Sequence, residues 1–175
     1  MAEKLRSVVK MSKVKSIYNG HTFSVRTTQE MENGFFVKLG DIEKDNIEVH
    51  GMKVPATGDK GLVLIANPAI IYDNTARLGS DKERFYFMEN GETVLGYEIV
   101  ENDVFGISKL GIDGVPVEGE YLVAGNGVKL VPTNTPPVDD AFYAKVIRFE
   151  KVGGALSINL EHEATEYVML EVIQN

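Results

Sequence analysis

The side chains that could bind a metal ion are few and far apart in the sequence. His21, His50 and His162 are the three histidines, and none has a second histidine at the short spacing of zinc sites. The densest group of ligand types is Glu161-His162-Glu163. On a strand, its two carboxylates would point away from the histidine between them. The sequence therefore predicts no metal site and no bound cofactor.

Paired carboxylates could act as a general acid and base, and they occur at three places: Asp139-Asp140, Glu101 with Asp103, and Glu43 with Asp45. Hydrolysis of a glycosidic bond needs two carboxyl groups that face each other across a cleft. Close neighbours in a sequence rarely do so. No segment has the glycine-centred series of oxygen ligands that forms a calcium loop.

Nucleophilic and phosphate-binding motifs are also absent from the sequence. No serine lies in the Gly-x-Ser-x-Gly turn of a hydrolase. The glycines at 106, 111 and 114 are not followed by the Lys-Ser/Thr pair and helix of a phosphate-binding loop. With no convergent acid, base or nucleophile, the sequence predicts a protein that is not an enzyme.

The composition is that of a globular protein with an ordinary core. Hydrophobic residues make up 43% and charged residues 25% of the 175 residues, and there is no cysteine. No apolar run approaches the roughly 20 residues of a membrane helix. The basic start is not followed by the apolar segment of a secretory signal. We therefore expect synthesis in the cytoplasm and no membrane partner.

The net charge of −8 is distributed unevenly along the chain. Residues 1–15 have a net charge of +4, from Glu3 and five cations: Lys4, Arg6, Lys10, Lys13 and Lys15. The remaining residues then have a net charge of −12, which would repel a phosphate backbone, so no nucleic-acid partner is expected. The first 15 residues are interpreted either as a basic arm that binds an acidic partner or as a solubilising terminus.

Turn signals divide the rest into short segments rich in Val, Ile, Tyr and Phe. Asn-Gly pairs at 19–20, 33–34, 90–91 and 126–127 are typical of hairpin turns. Between such turns the pattern predicts the strands Thr22–Val25, Phe35–Leu39, Ile47–Val49, Leu62–Ala66, Phe85–Met88, Val94–Ile99, Val104–Ile107, Tyr121–Ala124, Lys129–Val131, Phe142–Phe149, Leu156–Leu160 and Tyr167–Ile173.

The resulting expectation is a mostly β protein, a sandwich or small barrel of short antiparallel strands. It would have an extended N-terminal arm and at most one short helix, at Asp73–Leu78. We expect a basic arm at 1–15, a first β region at 16–90 and a barrel-like β region at 91–175. The alternative is that 16–175 form one compact domain.

Adjacent aromatic residues occur at Phe35-Phe36, in the 85–87 segment and at Phe142-Tyr143. Because neighbouring residues of a strand point to opposite faces, each run places aromatic rings on both sides of its sheet. The second side is covered by another sheet, by the N-terminal arm or by another subunit. On the last hypothesis Phe36, Tyr86 and Tyr143 lie at or near subunit contacts.

The order of motifs along the chain resembles a known family. The segments that carry the resemblance are 33–41, 54–57, 64–68, 71–73, 96–99, 103–108, 116–123, 126–130 and 142–147. This order is similar to that of head decoration, or auxiliary (minor) capsid, proteins of tailed bacteriophages of Gram-positive hosts. The resemblance implies a structural virion protein, made in the host cytoplasm, on the outer surface of the capsid. Its partners would be the major capsid protein and further copies of itself, as in a trimer.

Three other functions remain open at this point. The first is another virion part, such as a head fibre base, a tail tube or a tail-completion protein. The second is a ligand-binding or enzymatic β-barrel of the cupin type, which needs inward-facing His and Glu ligands. The third is a bacterial surface or carbohydrate-binding module, which would need a secretory signal.

Overall fold

Short strands account for most of the secondary structure, as the spacing of the turn signals predicts. The computed structural model describes residues 4–69, 83–137, 140–152 and 164–175. Within these ranges the strands are β1 (Val9–Lys13), β2 (Thr22–Arg26), β3 (Phe36–Ile42), β4 (Val49–Lys53), β5 (Leu62–Ile65), β6 (Thr93–Glu98), β7 (Val104–Ser108), β8 (Tyr121–Ala124), β9 (Leu130–Thr133), β10 (Tyr143–Val152) and β11 (Thr165–Gln174). The predicted fold class, mostly β and built as a sandwich or small barrel, is confirmed.

Five of these strands close into a small barrel in the order β2-β4-β3-β5-β6, with β6 pairing back to β2. All pairs are antiparallel except β2 with β4. The interior is filled by buried apolar side chains that include Val25, Val37, Val63, Ile65 and Val94. Closing the sheet leaves the barrel strands without an open edge.

Two glycines allow the barrel strands to pack closely. A Cβ atom on Gly96 would lie 2.5 Å from Cγ1 of Val63. A Cβ atom on Gly40 would lie 2.7 Å from the backbone oxygen of Gly51, which belongs to the neighbouring strand β4. Real Cβ atoms do not approach other atoms so closely, so both positions require glycine at this strand separation.

The other six strands form an antiparallel sheet in the order β1-β7-β11-β10-β8-β9. β11 therefore lies in the middle of the sheet, paired with β7 on one side and β10 on the other. The alternating burial of β8 and the first half of β10 follows from one face being packed against the core. Pro132 lies in the edge strand β9, where a missing N–H costs least.

The barrel and the six-stranded sheet share one apolar core. Phe36, Leu62 and Leu64 on the outside of the barrel pack in the same cluster as residues of the sheet: Phe105, Ile107, Leu122, Phe142, Val146, Val168 and Leu170. Burying each such side chain contributes roughly 1.5–3 kcal/mol before entropy is counted. The shared cluster joins residues on both sides of the predicted boundary at 90/91.

Two expectations about organisation need correction. The extended N-terminal arm is wrong for residues 9–13, because they form β1 and pair with β7 in the six-stranded sheet. The side chains of Val8 and Val14 on either side of β1 are buried. The expected division into regions 16–90 and 91–175 is also wrong. The closed barrel lies in the first region and extends to Glu98 through β6, whereas the strands that follow, expected to be barrel-like, join β1 in the six-stranded sheet.

Individual elements mostly follow the predicted pattern. The segment 85–88 is not a strand, and only Met88 makes an isolated bridge, to Met31. The single turn of helix at Ser16–Asn19 and the 3-10 turn at Lys109–Gly111 were not predicted. The predicted helix Asp73–Leu78, the predicted strand Leu156–Leu160 and the Glu161-His162-Glu163 group lie outside the described residues.

Candidate interaction surfaces

Arg6, predicted as part of a basic arm, is held inside this chain. Its side chain is 11% exposed and pairs with the carboxylates of Glu30 and Glu32. The guanidinium carbon lies 4.3 Å from the ring centroid of Phe87, a cation–π contact. Burial acts to lower the pKa of Arg6, but the bonds to the two carboxylates outweigh this and raise it. This cation stabilises the fold and is not presented to a partner.

Two other cations of the first 15 residues also bond within the chain. Nζ of Lys10 lies 2.7 Å from Oε2 of Glu150, and this contact is the largest cause of the lowered pKa of Glu150. Nζ of Lys15 donates to the backbone oxygen of Glu101 over 3.0 Å. Lys13 is exposed and makes no ion pair with the part of the chain that the structure describes.

Lys4 is the remaining cation of this group, and it is mainly exposed. Its Nζ lies 3.9 Å from Oε1 of Glu32, a contact at the limit of an ion pair. Lys13 and Lys15 are exposed as well. Because Arg6, Lys10 and Lys15 bond within the chain, the five cations do not form the continuous basic tail that the composition suggested.

Phe36, predicted at or near a subunit contact, lies in the core. It is 1% exposed, and its ring centroid lies 6.0 Å from that of Phe105 and 5.7 Å from that of Phe142. Its neighbour Phe35 packs in the barrel interior instead. Both sides of the chain are buried at Phe35 and Phe36, where β3 begins, because the six-stranded sheet covers the outer side. For Phe35 and Phe36, the second side of the strand is therefore covered by another sheet of the same chain.

Tyr86 lies at the margin of the barrel interior. It is half-buried against the cluster that contains Met31 and Met88. Its hydroxyl accepts a hydrogen bond from Nδ2 of Asn67 over 3.4 Å. Part of the ring reaches the surface, but its main contacts are within the chain.

Tyr143 lies on the side of the six-stranded sheet that faces away from the core. The register pairs Tyr143 with Val123, Val123 with Val131, and Tyr121 with Lys145. Paired residues share a face, while Leu122 and Ala144 between them are buried on the opposite one. We name Tyr121, Val123, Val131, Tyr143 and Lys145 the β8–β10 face. The rings of Tyr121 and Tyr143 meet edge to face, 5.8 Å apart.

The connection between β3 and β4 exposes apolar and acidic side chains together. We name residues 41–48 the β3–β4 tip. Ile47 is 80% exposed and Ile42 is 52% exposed. The segment contains four acidic residues and one lysine, a net charge of −3. Backbone hydrogen bonds from Glu43 to Val49 and from Val49 to Asn46 hold its shape.

A second exposed apolar segment lies between the 3-10 turn and β8. In the segment 115–117, named the 115–117 loop, Val115 is 80% exposed and Val117 is 52% exposed. Gly119 and Glu120, which follow, bond to the backbone of Val146 in β10. This attachment places the loop beside the six-stranded sheet.

No group of three or more His, Asp or Glu side chains in the described ranges could hold a metal ion. His21 is exposed, and its Nδ1 lies 3.1 Å from Oε2 of Glu98. A cleft of about 500 Å³ is open to solvent and lined in part by Lys15, Glu101 and Asn175. No helix in the described ranges is long and apolar enough to cross a membrane.

Comparison with known proteins gives no relative from which a function could be transferred. The chain matches no protein-family model, no curated protein and no solved structure. The surfaces above therefore have to be interpreted from their own chemistry.

Sequence reasoning identified Tyr143 but not the other members of its surface. Tyr121–Ala124 is apolar at every position, so no alternation indicates which side chains face outward. Ile47 was assigned to a strand because it is β-branched, yet it lies in a turn outside β4. The acidic residues at 45 and 48 on either side of it were the available signal for a solvated turn.

Proposed function

We propose that the protein is a structural subunit of a phage virion. It binds the outer surface of the capsid as a small homo-oligomer and decorates or stabilises the head. The observation that carries this proposal is the presence of three separate apolar surfaces: the β8–β10 face, the β3–β4 tip and the 115–117 loop. Apolar side chains grouped on the surface are typical of sites that bind other proteins.

A decoration protein needs two kinds of contact, one with its own copies and one with the shell. Separate surfaces supply both without competition between them. A weak contact repeated in each subunit of an oligomer becomes strong when several subunits bind one symmetric shell. The order of motifs that resembles the decoration proteins of tailed phages supports the same function. The shell partner is then the major capsid protein.

The 115–117 loop is the surface we assign to the shell. Val115 lies on a loop whose next residues are fixed to β10, so its side chain is presented without a large loss of conformational entropy on binding. Covering most of a valine side chain contributes about 1.5 kcal/mol. The loss of that contact weakens binding at each site by roughly tenfold.

The test mixes the purified protein with heads assembled without it and measures bound copies by sedimentation and mass spectrometry. The wild-type protein is expected to saturate at a fixed ratio to the major capsid protein. The variant Val115→Ser is expected to need about ten times more protein for half saturation. Val54→Ser is the matched control, because Val54 is also exposed but belongs to none of the three surfaces.

Absence of saturable binding to heads would contradict the proposal. Saturable binding to tails or tail tubes, with none to heads, would instead favour another virion part. Equal binding of the Val115→Ser and Val54→Ser variants would remove the loop from the contact while leaving the decoration function in place.

A further inference from the structure

We infer that copies of this chain associate head to tail, with the β3–β4 tip of one copy on the β8–β10 face of the next. The inference deepens the proposed function, since it names the contact that builds the oligomer. The occupant of the β8–β10 face is therefore a second copy of this chain. Three properties of the two surfaces support this pairing.

The first property is apolar complementarity. The tip projects Ile47, which is 80% exposed although isoleucine is among the most often buried residue types. The β8–β10 face offers the rings of Tyr121 and Tyr143, 5.8 Å apart, beside Val123 and Val131. An aliphatic side chain and half-buried tyrosines are the contacts expected at the centre of a protein interface.

The second property is charge complementarity. The tip has a net charge of −3, and Glu43 is its one acid that pairs with a cation of the described chain, Arg26. The β8–β10 face has a net charge of +1, from Lys145, in a protein of net charge −8. Lys145 is exposed within the face and makes no ion pair within the described ranges. Its closest acid by register is Glu171, on the neighbouring strand β11.

The third property is the location of the two surfaces in the fold. The tip belongs to the barrel, whereas the face lies on the side of the six-stranded sheet opposite the shared core. A contact between two different surfaces is heterologous, and it closes into a ring when the rotation between copies allows it. In such a ring, the β3–β4 tip of every copy binds one neighbour, and its β8–β10 face is bound by the tip of the other neighbour.

The test measures the molar mass of the full chain by size-exclusion chromatography with light scattering, with the fold checked by circular dichroism. The wild-type protein is expected to form a closed oligomer. Ile47→Ser disables the β3–β4 tip, and Tyr143→Ser disables the β8–β10 face. Each variant is expected to be monomeric at concentrations where the wild-type protein is assembled. Val54→Ser is the control for loss of an exposed apolar side chain and is expected to assemble normally.

Mixing the two defective variants gives the sharpest result. The tip of the Tyr143→Ser chain is intact, and so is the face of the Ile47→Ser chain. The mixture is therefore expected to form a one-to-one dimer that grows no further. If two β8–β10 faces instead bound each other symmetrically, Tyr143→Ser would prevent assembly and Ile47→Ser would not. An Ile47→Ser variant that still assembles would therefore overturn the inference.

A second pair of variants tests the charges. Lys145→Glu and Asp45→Lys are each expected to weaken association at least tenfold at low salt. Their one-to-one mixture is expected to regain association and to grow beyond a dimer, because the lysine on the tip of one variant meets the glutamate on the face of the other. A monomeric wild-type protein would also overturn the inference. If that monomer still saturates heads, the proposed function stands without it. An oligomer that ignores heads would refute the proposed function and leave the pairing intact.

Discussion

The side-chain amide of Asn175 forms both hydrogen bonds of an antiparallel pair with the backbone of Leu62. Its Oδ1 accepts from the Leu62 N–H over 2.8 Å, and its Nδ2 donates to the Leu62 oxygen over 3.0 Å. The same Nδ2 also donates to the backbone oxygen of Ile99 over 2.7 Å. One side chain next to β11 thus satisfies backbone groups of the barrel and joins it to the six-stranded sheet.

Replacing Asn175 by alanine should destabilise the protein by about 1–3 kcal/mol, because partly buried backbone groups of Leu62 and Ile99 lose their partners. Urea unfolding measures the loss. Gln174→Ala is the control, because that side chain makes an exposed bond to Asp140, and its effect should stay within about 0.5 kcal/mol. Equal losses in the two variants would mean that the amide bridge contributes nothing.

Replacing Arg6 by alanine should cost about 3 kcal/mol of unfolding free energy. The substitution leaves the buried carboxylate of Glu32 without its main cation and removes the contact with Phe87. Lys13→Ala changes an exposed cation two strand positions past Met11 and should have almost no effect. Thermal unfolding at one pH compares the two variants. If the two variants unfold at the same temperature, the ion pair of Arg6 does not hold residues 4–8 in place.

The carboxylate of Asp59 should contribute stability that depends on pH. The hydrogen bond from Lys38, and after it the backbone N–H of Ala56, hold the pKa of Asp59 below its ordinary value. Because the folded protein binds this proton less readily than the unfolded chain, the contribution is full above about pH 4 and is lost as the pH falls through the lowered pKa.

The variant Asp59→Asn isolates this effect. It should be less stable than the wild-type protein by roughly 0.5–1 kcal/mol near neutral pH, and the difference should shrink towards about pH 2. Urea midpoints between these limits provide the measurement. Asp113→Asn removes an exposed acid that has no ion pair in the described chain and lies outside the three surfaces, and it should show no such convergence. A constant difference for Asp59→Asn across the range would contradict the assignment.

Gly40 and Gly51 provide a matched pair for testing the packing of the barrel. The Cβ of Gly40→Ala would meet the backbone of Gly51 at 2.7 Å, whereas the Cβ of Gly51→Ala would meet the Asp41 oxygen at an ordinary 3.6 Å. Gly40→Ala should therefore cost about 1–3 kcal/mol, and Gly51→Ala should be neutral or slightly stabilising. Denaturant unfolding of both variants is the measurement. Equal effects would show that the strands can separate without cost.

The sequence predicted most strands because turn chemistry and β-branched residues are local signals. Asn-Gly turns and apolar segments located β5 and β8 to within one residue at each end. The β-branched and aromatic residues of the predicted strand Tyr167–Ile173 correctly indicated β11. β1 was missed because its lysines were interpreted as a solvated tail. The alternation of Val9, Lys10 and Met11 was the overlooked period-2 signal.

The surfaces were harder to predict than the strands, because burial depends on which elements meet in three dimensions. Phe36 and Tyr143 both lie in aromatic runs, yet one is covered by the six-stranded sheet and the other faces away from the core. No feature of the neighbouring sequence distinguishes the buried Phe36 from the outward-facing Tyr143. The partners of Arg6 likewise lie more than 20 residues away along the chain and could not be inferred from a basic terminus.

The central position of β11 determines the order in which this protein can be completed during synthesis. All five barrel strands have been synthesised once residue 98 is translated. The six-stranded sheet has no middle until residues 165–174 emerge, since β7 and β10 meet only through them. Until then β1 lacks a finished sheet to join, and the apolar outer side of the barrel stays uncovered. The nascent chain therefore exposes the apolar outer side of the barrel until late in translation, and we expect chaperones to bind it there.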